Sequence, residues 1–298
     1  MNRAVRGWFT VAAALALASV VMGAVVCATE SGASCPNWPG CYLDQFLPTP
    51  AAGLSTNPLI EFAHRVVAGL TGPVVLVTAI LGRRLSDPRP RRLAWIALAG
   101  TLSAGLFGML IVKVGIPWWL GVLDLGSALA ATVCLLLARV LLVDGARWKP
   151  GRAARLSWTA LGGLAAMHLL ALPVAGAHSY TRCMGWPVLV LGSDHWPVLQ
   201  WARVGLAVLA TVLIVVAAVR EFRSGGRVVA VLPVAAVALE LIVGLAMVAG
   251  SGGVGVRTVH SVTAVVAFWC TALLAARSSV GVVAPASASE AVGSPGRR

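Results

Sequence analysis

The sequence predicts an all-α membrane protein: eight transmembrane helices forming two tandem four-helix bundles, related by a parallel pseudo-twofold repeat. Three observations carry this. Of 298 residues, 59% are hydrophobic and 11% charged, where a soluble domain has about a quarter charged. Apolar runs long enough to cross about 30 Å of hydrocarbon recur along the whole length. The second half of the chain also repeats the pattern of the first.

The runs fall at about 8–28, 58–82, 93–114, 118–142, 156–177, 197–219, 228–249 and 255–277. The first follows Arg3 and Arg6. Its apolar core is longer than that of a signal peptide, and no small-x-small cleavage site follows it. Val26 before Cys27 argues against a lipoprotein site, so the run is a helix. Residues 34–41 then read SCPNWPGC, a small stiff loop between Cys35 and Cys41. Only Gly-Ile-Pro (115–117) separates the third and fourth runs, which predicts a tight helical hairpin. The residues after about Ser278 are rich in Ala, Ser, Gly and Pro and are expected to be disordered. The expected organisation is therefore an N-terminal half (1–150), a C-terminal half (151–280) and a tail (281–298).

The net charge of +13 is explained by topology. Arg83, Arg84, Arg89, Arg91 and Arg92 share one connection. Arg147, Lys149, Arg152 and Arg155 share another, and Arg220, Arg223 and Arg227 a third. The alternate connections hold no Lys or Arg in 29–57, Arg182 alone in 178–196, and Arg257. The positive-inside rule then puts both termini in the cytoplasm of a multi-pass protein of the cell (plasma) membrane, with SCPNWPGC outside. No basic stripe with interleaved aromatics is present, so nucleic acid is not an expected partner.

The repeat aligns PLIEFAHRVVAGL from Pro58 with PVLQWARVGLAVL from Pro197. Glu61 pairs with Gln200 and His64 with Arg203. Gly108 precedes Asp124, and Gly244 precedes His260, by the same sixteen residues, so Asp124 pairs with His260. His64, Asp124, Arg203 and His260 each lie about six residues inside the outer end of a helix, roughly 9 Å deep. Ionisable groups within a membrane are costly and mark function. Histidines on facing helices of a bundle suit heme iron. Packing against a backbone carbonyl or a neighbouring helix is the other reading. His168, in mid-helix, reads as a packing residue. His178 and His195 flank the second outer loop, where solvated or propionate-pairing roles are equally open. Glu61 shares a helix face with His64 and could orient the imidazole, accept a proton or ligate iron. Arg65 and Arg203 could clamp propionates, with snorkelling the alternative for Arg65. Cys35 and Cys41 lie in a disulfide-permissive compartment, as either a structural staple or a redox-active pair.

SGASCPNWPGC followed by IEFAHRVVAGL resembles the heme A synthase family, and the tandem four-helix plan extends the resemblance over nearly the whole chain except the tail. That family oxidises a ring methyl of heme O to a formyl group, giving heme A for terminal oxidases. The resemblance implies heme O as substrate in one half and heme b as cofactor in the other, each between two histidines. It implies Glu61 as the catalytic carboxylate and Cys35–Cys41 as a disulfide taking part in the chemistry. It implies His64 as iron ligand on the substrate side and His260 on the second heme, with Arg65, Arg203 and Asp124 in the cofactor-binding set. The implied partners are heme O synthase, terminal oxidase assembly factors and the lipid bilayer, with homo-oligomer formation open. Departures from the family pattern are Asp124 and Arg203 where histidines are usual, Cys27 in place of an arginine, and Asn37 in place of an aspartate. The second outer loop has one cysteine, Cys183, so a second disulfide is not expected. The alternatives left open are the loss of one heme, a ligand from His178 or His195, and lost activity. A non-catalytic heme-binding or oxidase-assembly protein is the alternative, and a small-molecule transporter a third class.

Overall fold

The computed structural model describes residues 3–115, 117–143, 146–174, 183–187, 197–250 and 252–282. The helices are α1 (Arg3–Ala28), α2 (Pro58–Gly82), α3 (Pro88–Val114), α4 (Trp118–Leu141), α5 (Arg152–Val174), α6 (Pro197–Arg223), α7 (Arg227–Val248) and α8 (Val254–Ser278). These eight are, among the described residues, each long and apolar enough to cross a membrane. Arg182, His178 and His195 lie outside the described residues, as does the tail beyond Val282.

Helix ends follow local chemistry. Asn57 caps α2, its side chain accepting from Leu59 N–H, and Pro58 needs no hydrogen bond at the first position. The third helix begins at Pro88 rather than near 93 because Asp87 caps it, accepting from Arg89 N–H at 2.9 Å. Its arginine-rich first turn is thereby helical. Gly115, at φ 92°, ends α3 in a conformation that favours glycine, and Pro117 starts α4. These two helices form the expected hairpin.

Each half is a ring of helices. In the first, α1 packs on α2 and α4, and α3 on α2 and α4; in the second, α5 packs on α6 and α8, and α7 on α6 and α8. The halves meet through α1 against α8, α4 against α5, and α4 against α8. One apolar core runs across this interface and through the second half, including Val20, Leu129, Leu164, Ile214, Val237 and Phe268. A smaller core closes the first half away from its cysteine loop, around Phe9, Val75, Ala94 and Leu135.

Two features depart from expectation. Strand β1 (Ala146–Trp148) pairs antiparallel with β2 (Val280–Val282), Arg147 opposite Gly281. The chain therefore continues in regular structure past 281, where the tail was expected to begin. Cys183 also has a partner: Cys27, at the end of α1, bonds to it with a Cα–Cα distance of 5.4 Å. The second disulfide excluded from the sequence is thus present. Its partner sits 156 residues away and becomes a neighbour only when the halves pack together.

Candidate functional site

The site builds from the cysteine loop inward. Cys35 and Cys41 form a disulfide with a Cα–Cα distance of 4.2 Å, and both are fully buried. The loop folds on itself, Cys41 N–H donating to Phe46 O and Asn37 N–H to Cys41 O. The Cys35 sulfur lies 3.5 Å from Pro58 O, the first residue of α2. Arg65, two turns into α2, holds the loop from below. Its Nη2 donates to Cys35 O at 2.6 Å, and its Nη1 to Gly40 O at 2.9 Å and to Asn37 O. Its Nε donates to Glu61 Oε1 at 3.0 Å. A planar guanidinium can serve both a carboxylate and a set of carbonyls because its five N–H groups are held in a fixed fork. The arginine expected to clamp a propionate therefore ties the disulfide loop to Glu61.

His64 lies between these two residues in sequence, on the side of α2 that faces α1. A Cβ on Gly23 of α1 would stand 3.4 Å from His64 Nε2, so glycine there leaves the imidazole room. Across the ring, Asp124 of α4 faces Gly108 of α3, where a Cβ would stand 3.9 Å from Oδ1. Both His64 and Asp124 are only partly buried. The surrounding packing is sparse. Between Glu61 and Thr71, α2 has no buried residue, and α3 has none after Leu98. Added Cβ atoms at Gly69, Gly72 and Gly105 would meet nothing within 4 Å. The large apolar side chains of these stretches, among them Val66, Leu70, Leu102 and Leu106, are exposed on membrane-spanning helices, so the loop end of the first half is less closely packed within the chain than its other end. The His64 imidazole, given room by Gly23, is of the type that ligates heme iron.

Among the described residues, the loop end of the second half is closely packed. Along α6, Gln200, Arg203, Ala207, Ala210, Ile214 and Ala217 are buried in an unbroken stripe at helical spacing. Arg203 is fully buried, donating from Nε to Met167 O at 3.1 Å, from Nη1 to Gln200 Oε1 at 3.0 Å and from Nη2 to Gly185 O at 3.3 Å. His260 is held by protein on both sides. Its Nδ1 lies 3.0 Å from Glu240 Oε1, an ion-pair distance without hydrogen-bond alignment. Its Nε2 lies 3.4 Å from Trp186 O. Glu240 of α7 also accepts from Trp186 N–H at 3.1 Å and from the Thr263 hydroxyl. His168 is fully buried with its ring edge-on to Phe268, centroids 6.0 Å apart. These residues do not fit a second heme between paired histidines.

The structure thus brings Cys35, Cys41, Glu61 and Arg65 into one hydrogen-bonded assembly, with His64 on the same helix, and places Asp124 on α4 against Gly108 of α3. It places Arg203 and His260 in a separate buried network in the other half. Sequence reasoning missed Glu240, the centre of that network. The signal was present, since Glu240 is the only acidic residue in the four apolar runs of the second half.

Comparison with known proteins gives the family. Residues 6–272 match the family COX15-CtaA, described as cytochrome oxidase assembly protein. The chain is 32% identical over 149 residues to the heme A synthase of Halalkalibacterium halodurans, covering 49% of each. It is 29% identical over 247 residues to the heme A synthase of Geobacillus kaustophilus, covering 75% of this chain and 74% of that one. For the heme A synthase of Exiguobacterium the identity is 25% over 217 residues, or 65% of each. The chain thus spans about half the length of the first of these relatives and about two thirds of the last. The family match extends from the start of α1 into the last turns of α8 and includes both the loop assembly and the closed half, so the chain belongs to the COX15-CtaA family of cytochrome oxidase assembly proteins.

Proposed function

We propose that this protein is a heme A synthase-like membrane oxidoreductase that converts heme O to heme A for terminal oxidase biogenesis. It would act in the cell membrane with both termini cytoplasmic and the disulfide loop outside. The observation that carries this reading is the Arg65 clasp, which joins the Cys35–Cys41 loop to Glu61, three residues before His64 on α2. In this reading heme O binds beside His64 as substrate, with His64 as its iron ligand; bound iron would supply the oxygen chemistry that a protein side chain cannot.

The chain's own residues do the rest. Arg65 holds Glu61 Oε1, leaving Oε2 to exchange a proton close to the substrate methyl. Asp124 stands where the family resemblance implies a second histidine, so this position would offer bound heme a carboxyl group rather than an imidazole. The loop excludes water from above, which strengthens the electrostatics beneath it. Heme O synthase and oxidase assembly factors are the partners this reading implies.

Expression beside a heme O synthase, followed by pigment extraction, tests the reading. Heme A or its hydroxylated precursor is expected, and Glu61→Gln should abolish it while heme O stays bound. Heme O alone from the folded parent protein would sink the catalytic reading. That result would favour a non-catalytic heme-binding assembly protein, a reading supported by the closed second half. The loop has its own test. Cys35→Ser with Cys41→Ser should lower heme A yield if the pair takes part in redox chemistry, and an unchanged yield would make it a structural staple.

A further inference from the structure

We infer that the C-terminal half holds no heme, and that residues Cys183–Pro187 occupy the loop end of that bundle as a protein plug. The geometry rests on one peptide group. Gly185 C=O accepts from the Arg203 guanidinium, and the N–H of the same peptide, on Trp186, donates to the Glu240 carboxylate. A buried cation and a buried anion are thus joined through one amide, each satisfying a polar end that apolar surroundings would otherwise leave unpaired. Burying both charges is tolerable because each has several partners.

The side chains of the segment complete the seal. Met184 and Trp186 are 4% and 2% exposed and belong to the main apolar core. Met184 takes φ 71°, which turns the chain inward. Cys183 anchors the segment to α1 through Cys27. Among the described residues of this half the imidazoles are those of His168 and His260, and both are enclosed by protein. His260 is held between Glu240 and Trp186 O. His168 is enclosed against Phe268, with the Met184 backbone alongside. The buried atoms here without a hydrogen-bond partner include Trp186 Nε1 and Gln200 Nε2, N–H donors that cannot ligate iron, together with both ring nitrogens of His168 and Nδ1 of His260; the His168 ring packs edge-on to Phe268, and His260 Nδ1 lies 3.0 Å from Glu240 Oε1. The contrast with the first half is direct: the repeat-related helix α2 breaks its buried stripe beside His64, and α6 does not.

The test uses the full chain, purified from heme-replete cells that supply heme O. Pyridine hemochrome analysis against protein concentration should give one heme per chain; the presence of that one rests on the reading of the N-terminal half above. His64→Ala should remove it. His260→Gln, alone or with His168→Phe, should leave stoichiometry and absorption spectrum unchanged. Two hemes per chain would overturn the inference, as would loss of one heme from a monodisperse His260→Gln protein. No pigment in the parent would overturn the N-terminal reading and uphold a heme-free C-terminal half, so the two failures are distinguishable. Should His260→Gln fail to fold, the parent stoichiometry decides alone.

Discussion

Replacing Arg65 with alanine is expected to lower heme A yield about 100-fold, because it releases both the loop and the carboxylate that it joins beside His64. The wild-type guanidinium bonds three loop carbonyls and Glu61. Its side chain is 11% exposed and that of Glu61 7%, so water replaces little of what is lost. Leaving such a carboxylate without its cation costs about 3–5 kcal/mol. A fall in the thermal unfolding midpoint in detergent should therefore accompany the loss of product. Arg65→Lys separates charge from geometry. A lysine keeps the positive charge near Glu61 but cannot fork to Cys35, Asn37 and Gly40 together. It should recover most of the stability and little of the yield. Full product from Arg65→Ala would disconnect the loop from the chemistry.

The second large effect lies in the other half. Glu240→Leu should destabilise the protein by about 3–5 kcal/mol, since it removes the anion that faces Trp186 N–H, His260 and Thr263. Arg203→Met should cost a similar amount by leaving Glu240 without the cation that polarises the shared peptide. Together the two substitutions should cost less than their sum, by about 1–3 kcal/mol, because both buried charges leave at once. Thermal unfolding of the parent, the two single variants and the double variant completes the cycle. Simple additivity would mean that the Gly185–Trp186 peptide does not couple the two ends.

The helices were legible in the sequence because lipid imposes a length and a composition on every span. Pro58 and Gly-Ile-Pro marked boundaries that appear at α2 and at the α3–α4 hairpin. Charged first turns were read as connections, since Asp87 capping Arg89 is a local contest that composition does not reveal. In the site, spacing alone put Glu61, His64 and Arg65 on neighbouring positions of one helix. The role of Arg65 was not legible, because its carbonyl partners lie 25 to 30 residues back in an irregular loop. Two further contacts arise only from packing between distant segments: Cys27 with Cys183, and Trp186 N–H with Glu240, which is 54 residues away. Depth along a helix flagged His260 but could not show that a tryptophan backbone sits on it. Glu240 could have been found by asking why a carboxylate sits in an apolar run at all.

The two halves are fastened at both ends of the bundle. At the cysteine end the Cys27–Cys183 bond crosses between them, and Arg257 at the start of α8 pairs with Glu30 at 3.0 Å. At the opposite end β1, which follows α4, pairs with β2, which follows α8, and Lys149 N–H donates to Ser279 O at 2.9 Å. A rocking motion needs one end to open as the other closes, and here both are pinned. A disulfide and an ion pair at one end, with a strand pair at the other, oppose that motion. The first half instead turns to its surroundings the large apolar side chains of α2 and α3, among them Val66, Leu70, Leu102 and Leu106, a surface suited to hydrocarbon.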